Sequence, residues 1–184
     1  MALTPSEPLE PGSPLPPFSL PDVATGDFVT QATHAGAKAL VVIFLCRHCP
    51  YVVHVLPELL GIARDYLPRG VAFAGICAND AATYPEDAPA KLKEMATRMD
   101  FPFPVLHDGS QEVARAFRAV CTPEFFVFDG GRGLYYHGRM DGSTPGNGLP
   151  CTGAELRSAL DAALAGTPAP SHQHPSMGCS IKWK

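Results

Sequence analysis

The stretch KALVVIFLCRHCPYVVHVLPELL, Lys38–Leu60, decides the fold. Its first part is an unbroken apolar, largely β-branched run, the pattern of a strand covered on both faces. The run reaches Cys46 and the period then changes. From Pro50 onward Val52, Val55, Leu56, Leu59, Ala63 and Tyr66 fall on one helical face, until LPRG at 67–70 stops the helix. Pro57, inside that helix, is expected to kink it. A buried strand therefore hands over to a helix through Cys46-Arg47-His48-Cys49.

The same alternation continues outward. GVAFAGICAND (70–80) reads as a second buried strand, EDAPAKLKEMATRM (86–99) as a helix with Pro89 near its first turn, and FPFPVLHD (101–108) as a shorter strand. GSQEVARAFRAV (109–120) reads as a helix capped by Ser110, and PEFFVFDGGRGLYYHGRM (123–140) as two strands of an antiparallel hairpin. A last helix follows in CTGAELRSALDAALAG (151–166), with Thr152 as N-cap and Glu155 closing a capping box. Strand and helix in turn imply parallel β-α-β units. Seven prolines among the first 21 residues exclude helix or central strand there. The organisation expected is a proline-rich arm over 1–22, one α/β domain over 23–166 and a polar tail over 167–184.

Composition excludes several classes. A length of 184 residues suits a single core, 46% hydrophobic content fits a globular chain, and no segment approaches the roughly 20 apolar residues of a membrane helix. A net charge of −4, with no basic run interleaved with aromatics, argues against a nucleic-acid partner. The opening residues carry neither a basic start nor an apolar h-region, so a cytoplasmic location is expected, as a monomer or homodimer. In a reducing compartment close cysteine pairs more often serve catalysis or metal binding than stapling. Of the six cysteines, one pair is read as functional and Cys77, Cys121, Cys151 and Cys179 are of open role.

Cys46 is expected among unpaired helix N-terminal amides, with Arg47 and His48 adding positive charge. All three influences favour its thiolate. Cys46 would attack and Cys49 would resolve the mixed disulfide. The other readings are two core cysteines or half a metal site, using His48, His54 and the tail's HQHPSMGC (172–179). A structural zinc site needs four ligands with paired spacing, and only one Cys-x-x-Cys is present. No metal and no cofactor are therefore expected.

The order strand, Cys-x-x-Cys, helix, strand, helix, then Thr-Pro leading into a hairpin and final helix resembles the thioredoxin fold, with a central mixed β-sheet flanked by helices. PGSPLPPFSLPDVATGDFVT, FLCRHCPYV, ANDAATYPEDAP, TPEFFVFD, YYHGRMDG and GCSIKWK are together similar to peroxiredoxin-like proteins of the AhpC/TSA branch. The resemblance implies an N-terminal extension of peroxiredoxin type and a C-terminal tail around the domain. It also implies that Pro123 is a cis-proline facing the dithiol, and that the backbone of Thr122 is free to hold an extended substrate strand. Where peroxiredoxins carry P-x-x-x-T/S-x-x-C, this chain has Val42 and Cys46 before Cys49, so the peroxide-activating motif is missing. Thioredoxin's buried acid is missing as well, which leaves Glu124 as the candidate general base, or else as an exposed strand residue. Cys179 and Cys121 are candidate resolving thiols, Cys179 by way of a tail docked through Trp183. The expected function is a thiol-disulfide oxidoreductase acting on protein or small-molecule thiols and disulfides. The alternatives are a thiol peroxidase and a redox-sensing or metal-chaperone binding module.

Overall fold

The computed structural model describes residues 3–184. Its centre is a five-stranded sheet. The apolar run before Cys46 forms β4 (Ala39–Phe44), and all six of its residues are fully buried. It pairs in parallel with β5 (Val71–Cys77), which pairs in parallel with β6 (Val105–His107). On its other edge β4 runs antiparallel to β8 (Glu124–Asp129), which forms the expected hairpin with β9 (Leu134–Gly138). The sheet is mixed, and the fold is thioredoxin-like.

Because successive side chains of a strand point to opposite faces, β4 feeds two cores. Val41 and Ile43 pack with Phe125 and Val127 under α1 (Pro50–Tyr66), α2 (Pro89–Arg98) and α4 (Ala154–Ala165). Leu40, Val42 and Phe44 pack with Phe126 and Phe128 under α3 (Glu112–Ala116) and the N-terminal arm. Helix α1 runs unbroken through Pro57. In the second core the ring of Phe117 lies 5.4, 5.5 and 6.0 Å from those of Phe44, Phe126 and Phe128, edge-on in each case.

The arm carries β1 (Leu3–Pro5) and β2 (Ser19–Pro21), the latter paired with β3 (Phe28–Thr30). The C-terminus carries β10 (Met177–Ser180), which lies between β1 and the two-residue β7 (Cys121–Thr122), antiparallel to both.

Two caps differ from the sequence reading. Helix α4 starts after Gly153, whose φ of +64° favours glycine, and Asp141 rather than Thr152 holds the amides of Thr152 and Gly153 at 2.7 and 2.6 Å. The capping box is absent because Glu155 turns to Arg139 and His174 instead. Helix α3 starts after Gln111, and Ser110 Oγ accepts from the Glu112 amide at 3.2 Å.

Phe117→Ala removes the shared partner of the edge-on cluster and is expected to cost about 3–5 kcal/mol of folding stability. Denaturant unfolding followed by circular dichroism measures the loss.

Candidate active site

Cys46 lies just beyond β4, where the Leu45 amide still bonds to Ile76 O at 2.9 Å. Helix α1 begins at Pro50, so the residue at its N-cap is Cys49, not Cys46. This corrects the expectation that the first cysteine enjoys the helix N-terminus. Both cysteines are buried, and all six cysteines are free thiols. The Thr122-Pro123 peptide is cis. Thr122 meets both sulfurs: its Oγ1 lies 3.4 Å from Cys46 Sγ, and its carbonyl oxygen lies 3.2 Å from Cys49 Sγ.

The charge sits opposite to expectation. Hydrogen bonds from Cys46 first, then from the Cys179 thiol and the Val52 and Cys179 amides, hold the Cys49 thiol well below the ordinary range, although burial opposes them. Cys46 is driven up, chiefly because it donates to Cys49, and further by burial and by the Asp87 carboxylate. Arg47 and His48 do not supply free positive charge to Cys46. The Arg47 guanidinium pairs with Glu86, and His48 Nδ1 lies 2.7 Å from Asp87 Oδ2 with its ring stacked on Tyr84.

Asp87 is the residue that sequence reasoning missed. It is fully buried, and accepts from the Arg47 amide at 2.8 Å and from Asn79 Nδ2 at 2.7 Å. Its motif, ANDAATYPEDAP, holds three acids, Asp80, Glu86 and Asp87, and nothing in their spacing says which of them faces Cys46. Cys46 Sγ, a ring nitrogen of His48 and an Asp87 carboxylate oxygen lie within 4.8 Å of one another, the single grouping of metal-ligating type among the described residues. Three donors fall short of a closed structural zinc site.

Glu124 is neither exposed nor aimed at Cys49. It shares a sheet face with Phe126 and Phe128, whereas Cys49 packs with Phe125 and Val127 on the opposite face. Its Oε2 accepts from the Val120 and Cys121 amides at 2.8 and 3.0 Å, and its Oε1 pairs with the buried His137 Nε2 at 2.8 Å. Glu124 therefore positions the turn that leads into Thr122-Pro123.

Thr122 is not free to receive a foreign strand. Strand β10 already pairs with it, Cys179 opposite Thr122 and Ser180 opposite Cys121. Cys179 Sγ comes within 2.8 Å of Cys49 Sγ, so the tail thiol meets Cys49 rather than Cys46. Burial, and then donation to Cys49, push the Cys179 thiol up. The tail is anchored by the buried Ile181, while Trp183 is part-exposed under Arg115. Cys121 Sγ faces Glu124 Oε2 at 3.6 Å and Pro123 O at 3.9 Å. Cys77 is buried, its thiol raised to about 12 by burial and then by Asp87, and Cys151 lies half-buried near Asp141.

The AhpC/TSA family model matches residues 11–137, most of the chain. This chain belongs to the AhpC/TSA family. Over 100% of its length it is 47% identical to an uncharacterized conserved protein from Geobacillus kaustophilus, covering 97% of that chain with a TM-score of 0.98. A hypothetical protein from Sinorhizobium meliloti 1021 is 41% identical over 98% of each chain, with a TM-score of 0.96. A thiol:disulfide interchange protein of the thioredoxin family from Chlorobium tepidum TLS is 22% identical over 86% of this chain and 99% of its own, with a TM-score of 0.65, a likeness of fold. Among curated proteins none matches. Membership of the AhpC/TSA family, with two free cysteines at a strand-to-helix junction, supports thiol-based redox activity.

In this AhpC/TSA chain the low thiol belongs to Cys49. A pH titration of ultraviolet thiolate absorbance is expected to show one ionisation below the ordinary cysteine range near 8.5. Cys49→Ser should abolish that step. Cys46→Ala, which deletes the strongest donor to it, should move the step upward without removing it.

Proposed function

We propose that the protein is a thiol-disulfide oxidoreductase, cycling Cys46 and Cys49 between dithiol and disulfide by exchange with protein or small-molecule thiols. The observation that carries this reading is that one residue touches both sulfurs of the Cys-x-x-Cys: Thr122 Oγ1 lies 3.4 Å from Cys46 Sγ and Thr122 O lies 3.2 Å from Cys49 Sγ. Two sulfurs three residues apart and held against the same residue can bridge with little movement of the chain.

The chemistry follows the proton. Proton transfer from Cys46 to Cys49 leaves Cys46 as thiolate and Cys49 as thiol, and the Thr122 carbonyl then accepts a hydrogen bond from the Cys49 thiol. Cys46 attacks one sulfur of an external disulfide RSSR; a mixed disulfide forms, and the first RS⁻ departs and takes a solvent proton. Cys49 attacks Cys46 next, its proton passing to the second departing thiolate. Two electrons go to the substrate and none remain unaccounted for. Thiolate reactivity depends on basicity as well as on charge, so holding the resting charge on Cys49 and delivering it to Cys46 only when the proton moves is compatible with fast exchange.

Equilibration in glutathione buffers, read by alkylation and mass spectrometry, is expected to give a two-electron Cys46/Cys49 couple within the span of about −270 to −120 mV found for such dithiols. Cys46→Ser and Cys49→Ser should each abolish dithiothreitol-dependent insulin reduction. Failure of the two cysteines to pair at any glutathione ratio overturns the reading.

A further inference from the structure

The dithiol reading above extends to a third sulfur. We propose that Cys179 is a redox-active partner of Cys49, so that β10 acts as a built-in substrate strand and Cys49 alternates between a disulfide with Cys46 and one with Cys179.

Position argues first. An extended substrate is held by main-chain pairing to a sheet edge, which fixes which of its side chains meets the reactive group. Strand β10 is held in that way on β7, and the register sets Cys179 opposite Thr122, the residue that touches both dithiol sulfurs. The result is a sulfur-to-sulfur distance of 2.8 Å, closer than non-bonded thiols rest.

The seat is also built for close approach. A Cβ on Gly178 would stand 2.0 Å from Thr122 O and 2.6 Å from its carbonyl carbon, so only glycine lets the strand lie where Cys179 reaches Cys49. Farther along, the Lys182 amide donates to Asn79 Oδ1 at 2.8 Å, Gln111 Nε2 donates to Lys182 O at 2.9 Å, and Ile181 is buried in the second core. Cys179 itself is buried. Fixed backbone on both sides means that the sulfur is delivered to one place.

The exchange balances. An external disulfide first oxidises Cys46 and Cys49, releasing two thiols. The Cys179 thiolate then attacks Cys49 Sγ; the Cys49–Cys179 bond forms as Cys46–Cys49 breaks, and the electron pair leaves on Cys46, which takes up the proton that Cys179 gave away. No net oxidation occurs in this step, because one disulfide replaces another. Cys46 is returned as a thiol, and β10 is tied covalently to the start of α1.

Disulfide mapping of the full-length protein tests the proposal. Wild type and variants are oxidised with glutathione disulfide, residual thiols are alkylated under denaturing conditions, and bridged peptides are identified by mass spectrometry. Wild type is expected to yield both Cys46–Cys49 and Cys49–Cys179. Cys46→Ser, checked for native circular dichroism, should yield Cys49–Cys179 alone, and Cys179→Ser should yield Cys46–Cys49 alone. In wild type with all cysteines present, Gly178→Val should lose the Cys49–Cys179 bridge and keep Cys46–Cys49. If neither wild type nor Cys46→Ser bridges Cys49 to Cys179 while wild type still forms Cys46–Cys49, the third sulfur is overturned and the dithiol reading stands. Absence of Cys46–Cys49 from both wild type and Cys179→Ser overturns the dithiol reading and the relay with it.

Discussion

The arrangement around the dithiol depends on how closely β10 lies against Thr122. Without a side chain on Gly178, two backbones approach to a separation that any Cβ would forbid, and the sheet edge at β7 is closed by the chain's own C-terminus. An open edge presents unpaired amides and carbonyls to any passing strand. Closing it buries both Cys46 and Cys49 and gives Cys49 a ring of neighbours: Cys46, Cys179, the Val52 amide and the Thr122 carbonyl. Most of these donate, which is why negative charge settles on the second cysteine although the first follows the strand.

Two buried acids divide the work of holding that geometry. Burying a carboxylate is costly unless hydrogen bonds replace its water, and each acid is supplied with them. Asp87 gathers the Arg47 amide, Asn79 and His48 beside Cys46, which fixes the loop between the two cysteines. Glu124 gathers the Val120 and Cys121 amides and His137 on the far face of the sheet, which fixes the entry to Thr122-Pro123. Asp87 also keeps a negative field next to Cys46 and so favours its protonated form. The two acids thus set where the sulfurs sit and which of them is charged in the resting state.

Much of the scaffold was legible because periodicity reports burial directly. The β4 run, the helical face of α1 and the β8–β9 hairpin are all statements about which side chains avoid water, and the sequence carries that pattern in its own spacing. The caps of α3 and α4 were less legible, since left-handed backbone at Gln111 and Gly153 and a carboxylate arriving from Asp141 belong to tertiary structure. Within the site, nearness in sequence misled. Glu124 adjoins Pro123, yet strand alternation turns it away from Cys49, while Asp87, some forty positions along, is folded onto the Cys46–Cys49 loop. The tail misled for a similar reason: the sequence pointed to docking through Trp183, and only the three-dimensional edge at Thr122 explains why Gly178 and Cys179 are placed side by side.

Asn79 shows how these parts form one unit. Its Nδ2 donates to Asp87, next to Cys46, while its Oδ1 accepts from the amide of Lys182, just past β10. One side-chain amide therefore joins the acid that polarises the dithiol to the segment that carries Cys179. If β10 leaves its seat, Asn79 loses the Lys182 amide, and Asp87 loses the fixed orientation of one of its donors. The position of the Asp87 carboxylate, and with it its hold on the Arg47 amide beside Cys46, then loosens. The C-terminal strand and the dithiol are thus linked twice, once through sulfur and once through Asn79, and both links run through residues that are buried.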